Sequence, residues 1–236
     1  MSQPEGAGSC CVDEDIMKYD AVFFDLDGTV IDSLQDIADA ANRTFRHFHL
    51  PEYEARALKP FLGWGTARLM KLAVPRASDA LLEALQAHYA PYYAAHAADK
   101  SRPYPGVLSM MARLKEDGLV LAIISNKPDA AVQPLAEAFF SDLAALSVGE
   151  LQGVRRKPCP DMLEHAAAKL GLDLGRCLYV GDSEVDIDTA NNAGIDCACV
   201  TWGFRTREQL KKAGASIIVD TPEALEEYIN SDLPSC

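Results

Sequence analysis

Two aspartates, Asp25 and Asp27, flank a single leucine and are followed at once by Gly28 and Thr29. They close a short apolar run from Ala21 to Phe24. Such a run, bounded by polar and turn residues, reads as a strand buried on both faces. A buried strand gains nothing in packing from two acids at its end. An open α/β sheet has a use for them, because ligands collect outside the carboxyl ends of its strands. Two further runs end in the same way: Leu119 to Ile124 leads into Ser125-Asn126-Lys127-Pro128, and Cys177 to Val180 into Gly181-Asp182, with Asp186 four residues on. Lys157 stands in the polar loop Arg155-Arg156-Lys157-Pro158, ahead of a helical stretch. Side by side, these tips would bring carboxylates, a hydroxyl and an ammonium into one pocket. A phosphorylated ligand needs local positive charge there, which a lysine or a metal ion can supply.

The elements that must position these groups follow from the pattern of the chain. From Val107 onward, helical stretches (Val107 to Asp117, Asp129 to Phe140, Asp161 to Leu170, Ser183 to Ala193, Pro222 to Ile229) alternate with short apolar runs, including a weak one at Ala145 to Val148 and later ones at Cys197 to Val200 and Ile217 to Val219. Repeated β-α units imply a doubly wound, Rossmann-like parallel sheet with helices on both faces. Between Leu34 and Lys100 the character changes. Ala-rich, helix-favouring segments (about Leu34 to Phe48, Glu52 to Leu58, Gly65 to Leu72, Ser78 to His96) are punctuated by Pro51, Pro60, Gly63 and Pro75, with no strand among them. Asp32 or Ser33 can cap the first helix. The expected organisation is an α/β core from residues 18–32 plus 102–236, a small all-helical insert over 33–101, and a disordered leader over 1–17 rich in Gly, Ser, Pro and acids.

Composition bounds the function. The net charge of −13 argues against nucleic acid or an anionic membrane as the main partner. No run approaches the length of a membrane span, and no export signal is evident. Seven cysteines without framework spacing, Cys197 and Cys199 sharing one face of a strand, point to buried thiols in a reducing cytoplasm. The charge leaves a phosphorylated substrate open, since that needs only local positive charge; the chain is expected to be a monomer or homodimer.

Asp25-Leu26-Asp27-Gly28-Thr29 resembles the opening signature of the haloacid dehalogenase superfamily of phosphohydrolases. Ser125, Lys157 and Gly181-Asp182-Ser183-Glu184-Val185-Asp186 resemble its three later motifs in order and spacing, over about Lys18 to Ile229. The resemblance implies roles. Asp25 would attack phosphorus and form an aspartyl-phosphate. Asp27 would be the general acid and base, and its presence favours transfer to water, since family dehalogenases lack this second aspartate. Ser125, with backbone N–H groups near Leu26, Asp27 and Asn126, would bind the phosphoryl oxygens, and Lys157 would neutralise nucleophile and phosphoryl group as a compact charge. Mg²⁺ would be held by Asp25, the backbone carbonyl of Asp27 and Asp182, with Asp186 outside them or binding through water. Read without the resemblance, Asp182 and Asp186 are equally the ordinary acids of a solvated helix start, and Ser125 a helix cap.

The helical insert occupies the position of the family's cap. It would open and close over the site about hinges near Val30 to Ser33 and Lys100 to Tyr104. Substrate choice would come from Phe61 to Arg68, where Gly63 and Gly65 flank Trp64 and where Arg68 could pair with a substrate carboxylate. Lys127 either reaches the substrate or points to solvent. The branch most resembled is that of the phosphoglycolate phosphatases, through Pro105-Gly106-Val107, Ser125-Asn126-Lys127-Pro128, Lys157-Pro158-Cys159-Pro160 and Thr201-Trp202-Gly203-Phe204. The expected activity is Mg²⁺-dependent hydrolysis of a phosphomonoester, 2-phosphoglycolate first. The alternatives are a phosphotransferase of the β-phosphoglucomutase type and a non-catalytic regulatory binding protein on the same scaffold.

Overall fold

In a computed structural model the described residues are 18–231. The expected leader over 1–17 lies outside them, apart from which the account runs from Lys18. In chain order the elements are β1 (Ala21–Phe24), β2 (Ile31–Asp32), α1 (Leu34–His47), α2 (Ala55–Leu58), α3 (Thr66–Ala73), α4 (Asp79–His96), β3 (Arg102–Pro103), α5 (Val107–Glu116), β4 (Val120–Pro128) and α6 (Asp129–Phe139). There follow β5 (Leu146–Glu150), α7 (Asp161–Leu170), β6 (Cys177–Gly181), α8 (Glu184–Ala193), β7 (Asp196–Val200), α9 (Arg207–Lys212), β8 (Ile217–Val219) and α10 (Pro222–Asn230).

Six strands form one parallel sheet in the order β5-β4-β1-β6-β7-β8. The order reverses at β1: the chain builds outward through β4 and β5, then returns to the other side of β1 for β6. The tips of β1, β4 and β6 are therefore neighbours, with Phe24 level with Ile123 on one side and Val180 on the other. This is the crevice where an open α/β sheet binds its ligands.

The apolar run of β1 is fully buried because it has two cores to serve. Successive strand side chains point to opposite faces. Val22 and Phe24 pack into a large cluster with Met110, Met111, Leu114, Val132, Leu225 and Ile229. Ala21 and Phe23 pack on the other face against Met162, Leu163 and Ala166 of α7.

Helices α1 to α4 leave and rejoin this core through a two-residue antiparallel ribbon, Ile31 opposite Pro103 and Asp32 opposite Arg102. The Asp36 carboxylate fastens the return crossing, accepting the N–H groups of Lys100 and Ser101 and the Ser101 hydroxyl. Within the insert, α4 lies along both α1 and α3, burying Leu85, Tyr89 and Tyr93.

Three details differ from the sequence reading. The strand expected to stop at Ile124 runs on as β4 to Pro128, with an irregularity after Ile124, so Ser125, Asn126 and Lys127 belong to the strand's end. Ser125 is consequently not a helix cap; α6 starts only at Asp129. The α9 helix, begun by a capping box of Thr206 and Gln209, was not foreseen, because its six residues span too few turns to show a period.

Phe23 is fully buried between β1 and α7. Phe23→Ala is expected to destabilise the protein by about 3–5 kcal/mol, read as a lower urea midpoint with unchanged slope.

Candidate active site

The end of β1 turns sharply. Asp25 still donates its N–H to the Val180 carbonyl at 2.8 Å, so its backbone stays tied to β6. Gly28 adopts φ +89°, and any Cβ there would run into the Asp182 carboxylate and the Phe204 ring. Gly203, from the loop after β7, is pressed against the Gly28 carbonyl and Asp182 from the other side. Both glycines are required by close approach, and they wedge the Asp182 side chain in place. One Asp182 oxygen accepts the Phe204 N–H.

Asp186 stands at the third position of α8 and does two things at once. One of its oxygens accepts the backbone N–H groups of Asp182 and Ser183 and the Ser183 hydroxyl, capping the helix start. The other accepts Lys157 Nζ at 2.9 Å and the Tyr179 hydroxyl at 3.2 Å. Asp182 and Asp186 are 2% and 0% exposed, which rules out the solvated helix start as their whole explanation.

Asp25, Asp182 and Asp186 each offer a carboxylate oxygen within 4.8 Å of one another. Facing them is Lys157, itself buried, whose ammonium donates to Asp25 Oδ1 at 2.7 Å, to Asp186 and to the Tyr179 hydroxyl at 2.7 Å. The loop that carries Lys157 is held by Asn126, whose side chain brackets it, accepting the Lys157 N–H at 2.8 Å and donating to its carbonyl at 3.0 Å. Three buried carboxylates against one ammonium leave surplus negative charge. Burial, opposed by Lys157 and aggravated by Asp186, pushes the Asp25 carboxyl up to about 7. Burial and the two neighbouring carboxylates hold Asp182 well above the usual carboxylate range. Burial alone would lower the Lys157 ammonium; Asp186 and Asp25 outweigh it and raise it. Surplus charge and a set of hard oxygen donors fit a small divalent cation such as Mg²⁺.

Asp27 points elsewhere. Its Oδ1 accepts Lys127 Nζ at 2.7 Å and the Ser33 hydroxyl. Ser33 therefore serves Asp27, and the α1 start is tied instead by Asp32, which accepts the Leu34 N–H. Lys127 is 5% exposed and lies over the Tyr93 ring, which excludes the solvent-directed reading. Asp25, Asp27, Ser125, Asn126 and Lys127 form the floor of a cavity of about 50 Å³ roofed by Leu62, Gly63, Gly65, Leu69, Tyr89 and Tyr93.

The roof is latched to the core. Arg205, buried, donates to the carbonyls of Lys59 and Leu62 and to both oxygens of Glu184. Glu184 also accepts Trp64 Nε1 at 3.2 Å, and Asn126 donates to the Gly63 carbonyl at 3.1 Å. Of the expected specificity segment Phe61 to Arg68, Leu62, Gly63, Gly65 and Thr66 line the cavity, Trp64 is spent on this latch, and Arg68 is exposed and not part of the cavity wall. Tyr179, Ser33, Glu184 and Arg205 were not foreseen. The one usable signal was Tyr179: a tyrosine in a fully buried strand needs a partner for its hydroxyl.

The description "Haloacid dehalogenase-like hydrolase" matches residues 22–200 of this sequence. The chain belongs to that family. It is 32% identical over 223 residues to a phosphoglycolate phosphatase from Rhodospirillum rubrum, covering 91% of this chain and 92% of that protein. It is 29% identical over 224 residues to an N-acetylmuramic acid 6-phosphate phosphatase from Pseudomonas aeruginosa, covering 93% and 99%. Among solved structures it is similar to a protein from Lactobacillus delbrueckii subsp. bulgaricus provisionally assigned as a phosphoglycolate phosphatase, with a TM-score of 0.86 and 37% identity over 90% of this chain and 99% of that one. The expected fold and the expected hydrolase class are both borne out.

Removing the ammonium should expose its role. Lys157→Met leaves buried carboxylates unpaired and is expected to cost about 3–5 kcal/mol at pH 8. Asp25 titrates at about 7 in the folded protein, above its unfolded value. At pH 5.5 it is already neutral, so the loss there should be smaller. Urea denaturation at the two pH values measures the difference.

Proposed function

We propose that the protein hydrolyses a small phosphomonoester through an aspartyl-phosphate on Asp25, with 2-phosphoglycolate as the first candidate substrate. The observation that carries this reading is the buried contact of Asp25 with Lys157, beside Asp182 and Asp186 and at the floor of a cavity. A carboxylate attacking a phosphate dianion meets like-charge repulsion, and the site's positive charge must offset it.

In the first step a carboxylate oxygen of Asp25 bonds to phosphorus while the bond from phosphorus to the ester oxygen breaks. Asp27 gives its proton to the departing alcohol. In the second step Asp27 takes a proton from water, the water oxygen bonds to phosphorus, and the acyl-phosphate bond breaks, returning Asp25 as a carboxylate. Lys157 holds Asp25 in place and faces the phosphoryl group. Ser125 and the backbone at Asn126 donate to its other oxygens. Asp25, the Asp27 carbonyl and Asp182 would hold Mg²⁺, which lends positive charge to the phosphoryl oxygens when bound. Asp186, with both oxygens engaged by five hydrogen-bond donors, orients Lys157 and the start of α8 around them.

Residues 33–101 are read as a cap and 18–32 plus 102–236 as the core. The Arg205, Glu184 and Asn126 contacts then describe the closed state, in which Leu62, Gly63, Gly65 and Leu69 of the cap lie over the strand tips. The chemistry suits a cytoplasmic enzyme, and Cys159, Cys177, Cys197 and Cys199 are unbridged.

Two measurements test this. Against a panel containing 2-phosphoglycolate, N-acetylmuramic acid 6-phosphate and an aryl phosphate, 2-phosphoglycolate is expected to give the highest kcat/KM. EDTA should abolish turnover, and Asp25→Asn should lower kcat by about 10⁴-fold or more. Equal turnover of 2-phosphoglycolate and the aryl phosphate would remove the substrate assignment. The second is thermal. Cation binding needs ionised carboxylates, and Asp25, at about 7, is ionised above neutrality and protonated below it. The Mg²⁺-induced rise in Tm should be larger at pH 8 than at pH 5.5, and a rise independent of pH would contradict the assigned ligands.

A further inference from the structure

Four consecutive residues after β7 each touch a different part of the molecule. Trp202 Nε1 donates to the Thr29 carbonyl at 2.9 Å. Gly203 packs against the Gly28 carbonyl and the Asp182 side chain, and its own carbonyl accepts Lys59 Nζ at 3.2 Å. Phe204 donates its N–H to an Asp182 oxygen. Arg205, 6% exposed, donates to the carbonyls of Lys59 and Leu62 at 2.8 and 3.0 Å and to both Glu184 oxygens. A carboxylate suited to a cation and the segment that roofs the cavity are thus joined through adjacent residues, Phe204 and Arg205. Nothing in the phosphoryl-transfer steps requires this join.

The two contacts support each other. A guanidinium presents its donors in a planar fork, and Arg205 can meet both insert carbonyls and Glu184 only while residues 59–62 lie against the core. With that segment swung away, Arg205 keeps Glu184 alone and Gly203 loses Lys59. The loop that wedges Asp182 is then held from one side only, by Trp202 on Thr29. A side chain that must be ordered on binding holds its ligand less tightly than one already fixed. A cation at Asp182 therefore binds better when residues 59–65 are seated, and a ligand that prefers one state shifts the population toward it. We propose that Arg205 is a positioning residue that couples the seating of residues 59–65 to cation occupancy at Asp182, so that the cation begins closing the site before substrate arrives. The inference rests on the phosphatase reading, with its cap and its cation at Asp182, and adds a regulation to that site.

The test uses the full chain with Mg²⁺ as the only ligand, and reads amide hydrogen exchange and calorimetric affinity rather than turnover. Linkage requires that the seated state favour the cation by the same factor by which the cation favours the seated state. In the wild type, saturating Mg²⁺ should slow exchange over residues 59–69 about tenfold, within the usual range for coupled sites, and leave α10 unchanged. Arg205→Met should abolish that slowing and weaken Mg²⁺ binding by about the same tenfold. A purely structural guanidinium would give faster exchange in the variant with an unchanged Mg²⁺ affinity, and that result would overturn the proposal. Lys59→Met removes only the strap to the Gly203 carbonyl and leaves Arg205 in place. It should reduce both the slowing and the affinity about threefold; an effect on one without the other, or on neither, would overturn the proposal even if Arg205→Met does not fold. A wild type that binds Mg²⁺ with no change over residues 59–69 would also overturn it and leave the phosphatase reading standing. A wild type that binds no Mg²⁺ would remove the cation assignment itself, and the coupling with it.

Discussion

The arrangement depends on one buried ammonium. Lys157 reaches Asp25 and Asp186 at 2.7 and 2.9 Å with its side chain almost fully out of solvent. Without it, three carboxylates would share a space where burial penalises each of them. With it, Asp186 can remain deep in the sheet edge and organise the start of α8, and Asp25 can stay at the tip of β1 with its backbone tied to β6. The side chains of Tyr179 and Asn126 act on the lysine: one fills a donor position of its ammonium, the other brackets its peptide. Precision in the site comes from this second layer, since a reacting group is held only as well as the groups that hold its neighbours.

The parallel sheet supplies the meeting point. Because the strand order reverses at β1, three tips that are distant in sequence become adjacent, and a single register fixes their heights. The helices between β2 and β3 roof the cavity and bring none of the charged groups in its wall; Asp25 and Asp27 follow the end of β1, and Lys127 lies at the end of β4.

Much of this is legible in the sequence. The apolar runs and the acids at their ends show the strands and the pocket, because a carboxylate after a buried strand has few structural uses. Asp25, Asp182, Asp186 and Lys157 converge as their spacing implies. What escapes is whatever depends on direction. Ser33 reads as a cap because serine before a helix is usually one, but the turn at Gly28 aims it at Asp27. Lys127 gives no sign of being buried, since the extension of β4 through Pro128 is not a periodic signal. Trp64 and Arg68 attract attention as large side chains between glycines. The tryptophan is drawn instead to Glu184, and the glycines matter because backbone there approaches Asn126 and Ser183. Arg205 follows no pattern at all; its partners are two backbone carbonyls and one glutamate from distant segments.

The ribbon of Ile31–Asp32 with Arg102–Pro103 has a consequence for how such a chain can diversify. The excursion of four helices departs and re-enters at touching points, sealed by Asp36 on residues 100 and 101. Once that neck is closed, the entropy of the enclosed loop grows only logarithmically, about 0.6 kcal/mol for each doubling of its length. A change in the length of the excursion therefore bears only lightly on closing that neck, while the sheet and its acids stay where they are.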